Sequence, residues 1–201
     1  MSKGRKCEKN TVDDDAECIE CHIDPKDKTP DTVKRSAHAV MTTDELVYCQ
    51  SCVKSRIAEA LIEELFLSLG WGVFRYGIEN NIPGVMNLLK DVRDDVAGYI
   101  KRMPDFIVQD KDGNVYFIEV KYRENGEFTI GDLPDDYPYN NSYIVVLSKQ
   151  HIKCVTIPEL RAGKKVTPTS INFLRDRREF HLDQENITNY CDFAVKFFEK
   201  V

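Results

Sequence analysis

Two kinds of hydrophobic pattern alternate along this chain. Between residues 53 and 69 the apolar positions Ile57, Ala58, Leu61, Ile62, Leu65 and Leu69 recur at three- and four-residue steps, predicting an amphipathic helix stopped by Gly70. Residues 71–76 follow as a first short strand. From residue 103 the pattern changes to runs of β-branched and aromatic residues, Phe106-Ile107-Val108 and Tyr116-Phe117-Ile118, separated by Asp110-Lys111-Asp112-Gly113-Asn114. That is the composition of a β-hairpin with an Asp-Gly turn. A hairpin centred on Asp112 pairs Phe106 with Ile118, Val108 with Tyr116 and Asp105 with Glu119. Residues 80–102, before it, carry a helical pattern (Val85, Leu88, Leu89, Val92, Val96) with a charged opposite face. After it come a Pro- and Asp-rich connection over 131–141, strands over 142–147 and 153–157, and a closing amphipathic helix from about Gln184 to Lys200. The expected architecture is α/β, a mixed central sheet of about five strands flanked by helices.

Composition narrows this reading. With 201 residues, 42% hydrophobic and 31% charged, the chain has material for one ordinary core and a small appended module. It has no apolar run of about eighteen residues, and its first residues are polar and basic rather than signal-like, so a cytoplasmic protein is expected. The net charge of −6 argues against broad adhesion to DNA, but local basic clusters remain: Arg161, Lys164 and Lys165, then Arg175, Arg177 and Arg178. Each is a candidate for phosphate contacts or a solvated loop.

The hairpin carries the candidate chemistry. Opposed residues of an antiparallel pair share a face, so Asp105 and Glu119 become neighbours, and Lys121, two residues along, joins them. A slip of one residue would separate the two carboxylates. Paired carboxylates repel unless a cation lies between them, and an oxygen-rich site suits Mg²⁺ or Mn²⁺ better than zinc. The plain alternative makes Glu119 and Lys121 the solvated face of an edge strand and Asp105 a turn residue.

At Pro104, Asp105, Glu119, Val120 and Lys121 the sequence resembles the PD-(D/E)XK nuclease superfamily. The resemblance covers roughly residues 55–149. It implies a restriction endonuclease-like fold over residues 53–201, similar also to Holliday junction resolvases, and hydrolysis of phosphodiester bonds in DNA that leaves a 5′-phosphate. It further implies that Asp105, Glu119 and the Val120 carbonyl hold Mg²⁺, and that Lys121 orients water or stabilises transition-state charge. Members with an extra glutamate on the preceding helix carry it about three turns ahead of a glycine-aromatic pair, and Glu59 stands so relative to Gly70-Trp71. Glu59 would then bind a second metal or a water. Glu63 and Glu64 read as ordinary surface acids, and Arg75 and Glu79 either face the site or pair with each other.

A second metal signal precedes the helix. Cys18-x-x-Cys21 and Cys49-x-x-Cys52 are two pairs with the spacing of a structural, closed Cys₄ zinc site, in a module over residues 1–52. A strand is expected over residues 45–48, and the second pair would sit at the N-terminus of the helix near Val53, an arrangement resembling treble-clef zinc modules. Cys7, His22 and His38 are alternative ligands, and a redox pair or free thiols are the competing readings. Cys154, Cys191, His151 and His181 read as structural. No internal repeat or phosphate-binding Gly-rich loop is present. The rival to a nuclease is a protein of the same fold that binds nucleic acid or scaffolds a complex without cutting. The 80–102 insertion is either a cover for the cleft or the contact of a homodimer.

Overall fold

A computed structural model describes residues 42–77, 89, 92 and 94–200. In chain order these form helix α1 (Thr43–Ser68), strand β1 (Gly72–Arg75), helix α2 (Asp95–Lys101), strands β2 (Phe106–Gln109), β3 (Val115–Tyr122), β4 (Ser142–Leu147) and β5 (Ile152–Thr156), the short helix α3 (Ile157–Arg161) and helix α4 (Gln184–Glu199). The fold is mixed α/β, as the pattern predicts.

The first helix departs from expectation at its start. It begins at Thr43, and residues 45–48 are helical rather than extended. The cause is a capping box at Thr42: the Glu45 N–H donates to Thr42 Oγ1 at 3.3 Å, while the Thr42 N–H donates to Glu45 Oε2 at 2.8 Å. Two of the orphan donors of the first turn are thereby satisfied, which outweighs the strand preference of Val47 and Tyr48. Cys49 and Cys52 therefore lie inside α1, not at its N-terminus, and the treble-clef placement of the second cysteine pair is corrected. The helix runs without a break through the expected module boundary at residues 52 and 53. It ends as predicted: Gly70 takes φ +77°, its N–H donates to Leu67 O at 2.9 Å, and the Trp71 N–H reaches Phe66 O at 3.1 Å.

The five strands form one sheet in the order β1-β2-β3-β4-β5, antiparallel throughout except for the parallel pair β3 and β4. The β2–β3 register is the one expected, with Phe106 opposite Ile118 and Val108 opposite Tyr116. The turn secures it. Asp110 Oδ1 accepts from the N–H groups of Asp112 at 2.9 Å and Asn114 at 2.8 Å, and Gly113 takes φ +88°.

Period-two alternation sends side chains to two cores. On one face Phe106, Val108, Ile118 and Val120 pack with Ile62, Leu65 and Phe66 of α1 and with Ile187, Ala194 and Phe198 of α4. On the other, Ile144, Val146 and Val155 pack with Phe128, Leu133, Tyr137, Leu160 and Val166. Cys154 is a core residue and Cys191 packs against the same cluster, as expected, and burial pushes both thiols up to about 12. Of the 80–102 insertion, the described part includes α2, capped by Asp94 accepting from the Val96 N–H at 2.8 Å. No helix among the described residues is long and apolar enough to cross a membrane.

Candidate active site

Asp105 stands immediately before β2. Its carbonyl accepts from the N–H groups of Tyr76 at 2.8 Å and Gly77 at 3.3 Å, which ties it to the end of β1. Its carboxylate reaches the neighbouring strand, where Oδ2 accepts the Val120 N–H at 2.7 Å. Continuing the β2–β3 register would set Pro104 opposite Val120, so the Asp105 side chain serves that N–H where the ladder stops. The same continuation sets Asp105 opposite Glu119.

Glu119 is 8% exposed, a carboxylate in a strand whose next neighbour on β4 is Ile144. Lys121 lies two positions on, and its Nζ sits 2.7 Å from Glu119 Oε1. Loss of hydration and the adjacent Glu119 carboxylate hold the Asp105 carboxyl well above its usual range, against the pull of Lys121 and the Val120 N–H. Burial alone would lower the Lys121 ammonium, but Glu119 and Asp105 outweigh it and keep its proton more tightly bound than in water. The three residues expected on one face are thus electrostatically one cluster.

Glu59, on α1, is half-buried, and its charge raises the proton affinity of both Asp105 and Arg75. One turn along, Glu63 forms a fork with Arg75, whose Nε donates to Oε1 at 3.0 Å. Glu63 is therefore an ion-paired residue rather than an ordinary surface acid, whereas Glu64 is exposed as expected. Glu79, the other partner considered for Arg75, lies outside the described residues. The Arg75 guanidinium also lies over the Phe106 ring, 5.6 Å from its centroid. This pair braces α1 against the sheet beside Asp105.

Two residues went unnoticed in the sequence. Arg123 continues the alternation of Glu119 and Lys121; its side chain is mostly buried, 3.9 Å from Asp132 and over the Phe128 ring at 5.5 Å. Its register position was a usable signal. Tyr137 is buried, and burial together with the Glu119 charge raises its hydroxyl. Nothing local marked it. Phe117, also on this face, stacks with Tyr76 at 5.9 Å and meets Tyr139 edge-on at 5.3 Å, so aromatic rings border the acidic cluster.

Of the expected zinc ligands, Cys18 and Cys21 lie outside the described residues, as do Cys7, His22 and His38. Cys49 and Cys52 are one helical turn apart on α1, half-buried, and in no disulfide. Among the described residues no three His, Cys, Asp or Glu side chains converge as a metal-holding group. His151 is buried, its Nδ1 3.0 Å from Ser148 Oγ in the turn between β4 and β5. Compared with known proteins, the chain matches no family model and no curated sequence.

Proposed function

We propose that this protein is a metal-dependent nuclease of the PD-(D/E)XK type that hydrolyses phosphodiester bonds, with DNA as the substrate. One observation carries the reading: Asp105 and Glu119 meet at the end of the β2–β3 ladder, with the Lys121 ammonium 2.7 Å from Glu119. Such an arrangement is costly unless it is used. Two partly buried carboxylates, one with its proton affinity raised by the other, form an oxygen donor set that a hard divalent cation would relieve. The set fits Mg²⁺ or Mn²⁺, held by Asp105, Glu119 and the Val120 carbonyl. When bound, the ion would supply Lewis-acid polarisation of a phosphoryl oxygen and a more acidic water.

The protein's own groups have separable roles. Asp105 is oriented by the Val120 N–H, so its free oxygen has a fixed direction. Lys121 holds its proton too tightly to act as a base. It is a preorganised cation whose remaining N–H donors suit the charge that develops on a phosphoryl group. Glu59 contributes negative potential to the site, and the Arg75–Glu63 fork keeps its helix in place.

A second reading is a nuclease-like protein that binds or scaffolds without cutting. The Lys121 ammonium, 2.7 Å from Glu119 Oε1, favours it, because a cation of the protein itself already pairs with that carboxylate. A cleavage assay on linear, branched and single-stranded DNA, with Mg²⁺ or Mn²⁺ and with chelator, separates the two. The nuclease reading expects metal-dependent cleavage of at least one substrate. Binding without cleavage across the panel would replace it with the second.

The N-terminal cysteines belong to the same proposal as a structural zinc site of Cys18, Cys21, Cys49 and Cys52. Spacing of three residues on α1 brings Cys49 and Cys52 to one side of the helix, which suits a shared ion.

A further inference from the structure

The two basic clusters, separate in sequence, face one groove. The chain after β5 turns back, and the Asn172 carbonyl accepts the Cys154 N–H at 2.9 Å, while Phe173 bridges to Lys153, so this segment runs along the outer edge of the sheet. Lys153 locks it there. Fully buried, its Nζ donates to the carbonyls of Thr167 and Pro168, the latter at 3.1 Å, and to Ser170 Oγ at 3.3 Å. The result is an open groove of about 720 Å³ whose lining brings together Lys164 and Lys165 from the start of the segment and Arg177 and Arg178, with Asp176 and Glu179, from its end.

Its charge runs against the rest of the protein. Residues 159–179 hold six cationic side chains and three carboxylates in a chain of net charge −6. Glu159 occupies Lys164 and Arg177, the first at 2.7 Å. Lys165, Arg178 and Arg161 are exposed and have no carboxylate partner among the described residues. Thr169 and Ser170 are also among the lining residues, and Ile171 projects into solvent, 84% exposed. An apolar tip among cations that have no carboxylate partner suits a polymer of phosphates and sugars.

We propose that this groove binds the phosphodiester backbone of a nucleic acid, with Lys165 and Arg178 as the main phosphate contacts and Ile171 against a sugar or base. In the sheet order β4 lies between β5 and β3, and both β3 and β4 lie between β5 and β2, so the groove is a site apart from the acidic cluster. The binding does not depend on whether the chain cuts. Were it to cut, the groove would hold the polymer away from the reacting phosphate and extend the footprint.

The test is fluorescence anisotropy with labelled single-stranded DNA, duplex DNA and RNA of one sequence, over a salt series in chelator. Lys165→Glu with Arg178→Glu should weaken binding tenfold or more, and Lys165→Gln with Arg178→Gln should lower the log–log salt slope by about 1.4 to 1.8, the loss of two phosphate contacts. Lys196→Glu with Lys200→Glu, the same charge change on an exposed residue of α4 and on its exposed C-cap, should have a much smaller effect. Equal loss in the two Glu double variants would overturn the groove as a site, as would unchanged binding in the first or displacement by polyglutamate as effective as by DNA. Failure of the catalytic proposal reads differently: it leaves these affinities intact and abolishes only the effect of Lys121→Ala on cleavage.

Discussion

The Asp105 carboxylate accepts the backbone N–H of Val120 at 2.7 Å, across two strands that are otherwise joined by main-chain bonds. A side chain thus does the work of a backbone acceptor where Pro104 ends the ladder. The bond aims one carboxylate oxygen and brings Asp105 beside Glu119, so site geometry and hairpin register are a single feature.

Asp105→Asn keeps an acceptor for Val120 and removes the charge. Under the nuclease proposal it should cut cleavage at least a hundredfold while the protein stays folded. Its effect on stability has a definite sign. Because the native Asp105 carboxyl titrates above its ordinary range, at intermediate pH the native state keeps a proton that the unfolded chain has released. Stability conferred at this site therefore falls as pH rises through that window. The Tm of Asp105→Asn should exceed that of wild type increasingly as pH rises across it, and added Mg²⁺ should narrow the gap by stabilising wild type alone. A Tm difference flat with pH would contradict the raised titration.

Lys121→Ala should separate binding from chemistry. Affinity for DNA in chelator should stay within about twofold of wild type, while the cleavage rate falls by roughly two orders of magnitude, the scale of a deleted charge stabiliser. Wild-type cleavage rates in this variant would remove Lys121 from the mechanism.

Glu59→Gln should be milder than either. Glu59 acts on Asp105 through its charge, so the variant should need a higher Mg²⁺ concentration for half-maximal rate and approach wild type at saturation. The measurement is a metal titration of the cleavage rate; an unchanged midpoint would confine Glu59 to the helix surface.

For zinc, freshly purified reduced protein should contain about one ion per chain, and Cys49→Ala should lose most of it. Metal analysis by mass spectrometry checks this. Full zinc content in Cys49→Ala would exclude the proposed ligand set.

Lys153→Met should cost about 1–3 kcal/mol in urea unfolding, since it removes the buried ammonium that donates to the carbonyls of Thr167 and Pro168. Full stability would mean that water replaces the ammonium there.

What the sequence determined by itself is what local rules decide. The Asp110–Asn114 turn and the two-residue period of the flanking strands set the hairpin register, and with it the meeting of Asp105, Glu119 and Lys121. Apolar and β-branched spacing likewise located all five strands and the closing helix. The start of α1 was legible too, in the Thr42–Glu45 capping box, but the β-branched and aromatic residues after it pointed to a strand. Other features depended on contacts between distant segments. The pairing of Glu63 with Arg75, the burial of Tyr137 beside Glu119 and the joining of two basic clusters along β5 carry no periodic signature. Each is set by how α1 crosses the sheet or by where a loop returns to its edge. Only packing of the whole chain decides that, because hydrophobic burial is non-directional and leaves the choice of charged neighbours to geometry.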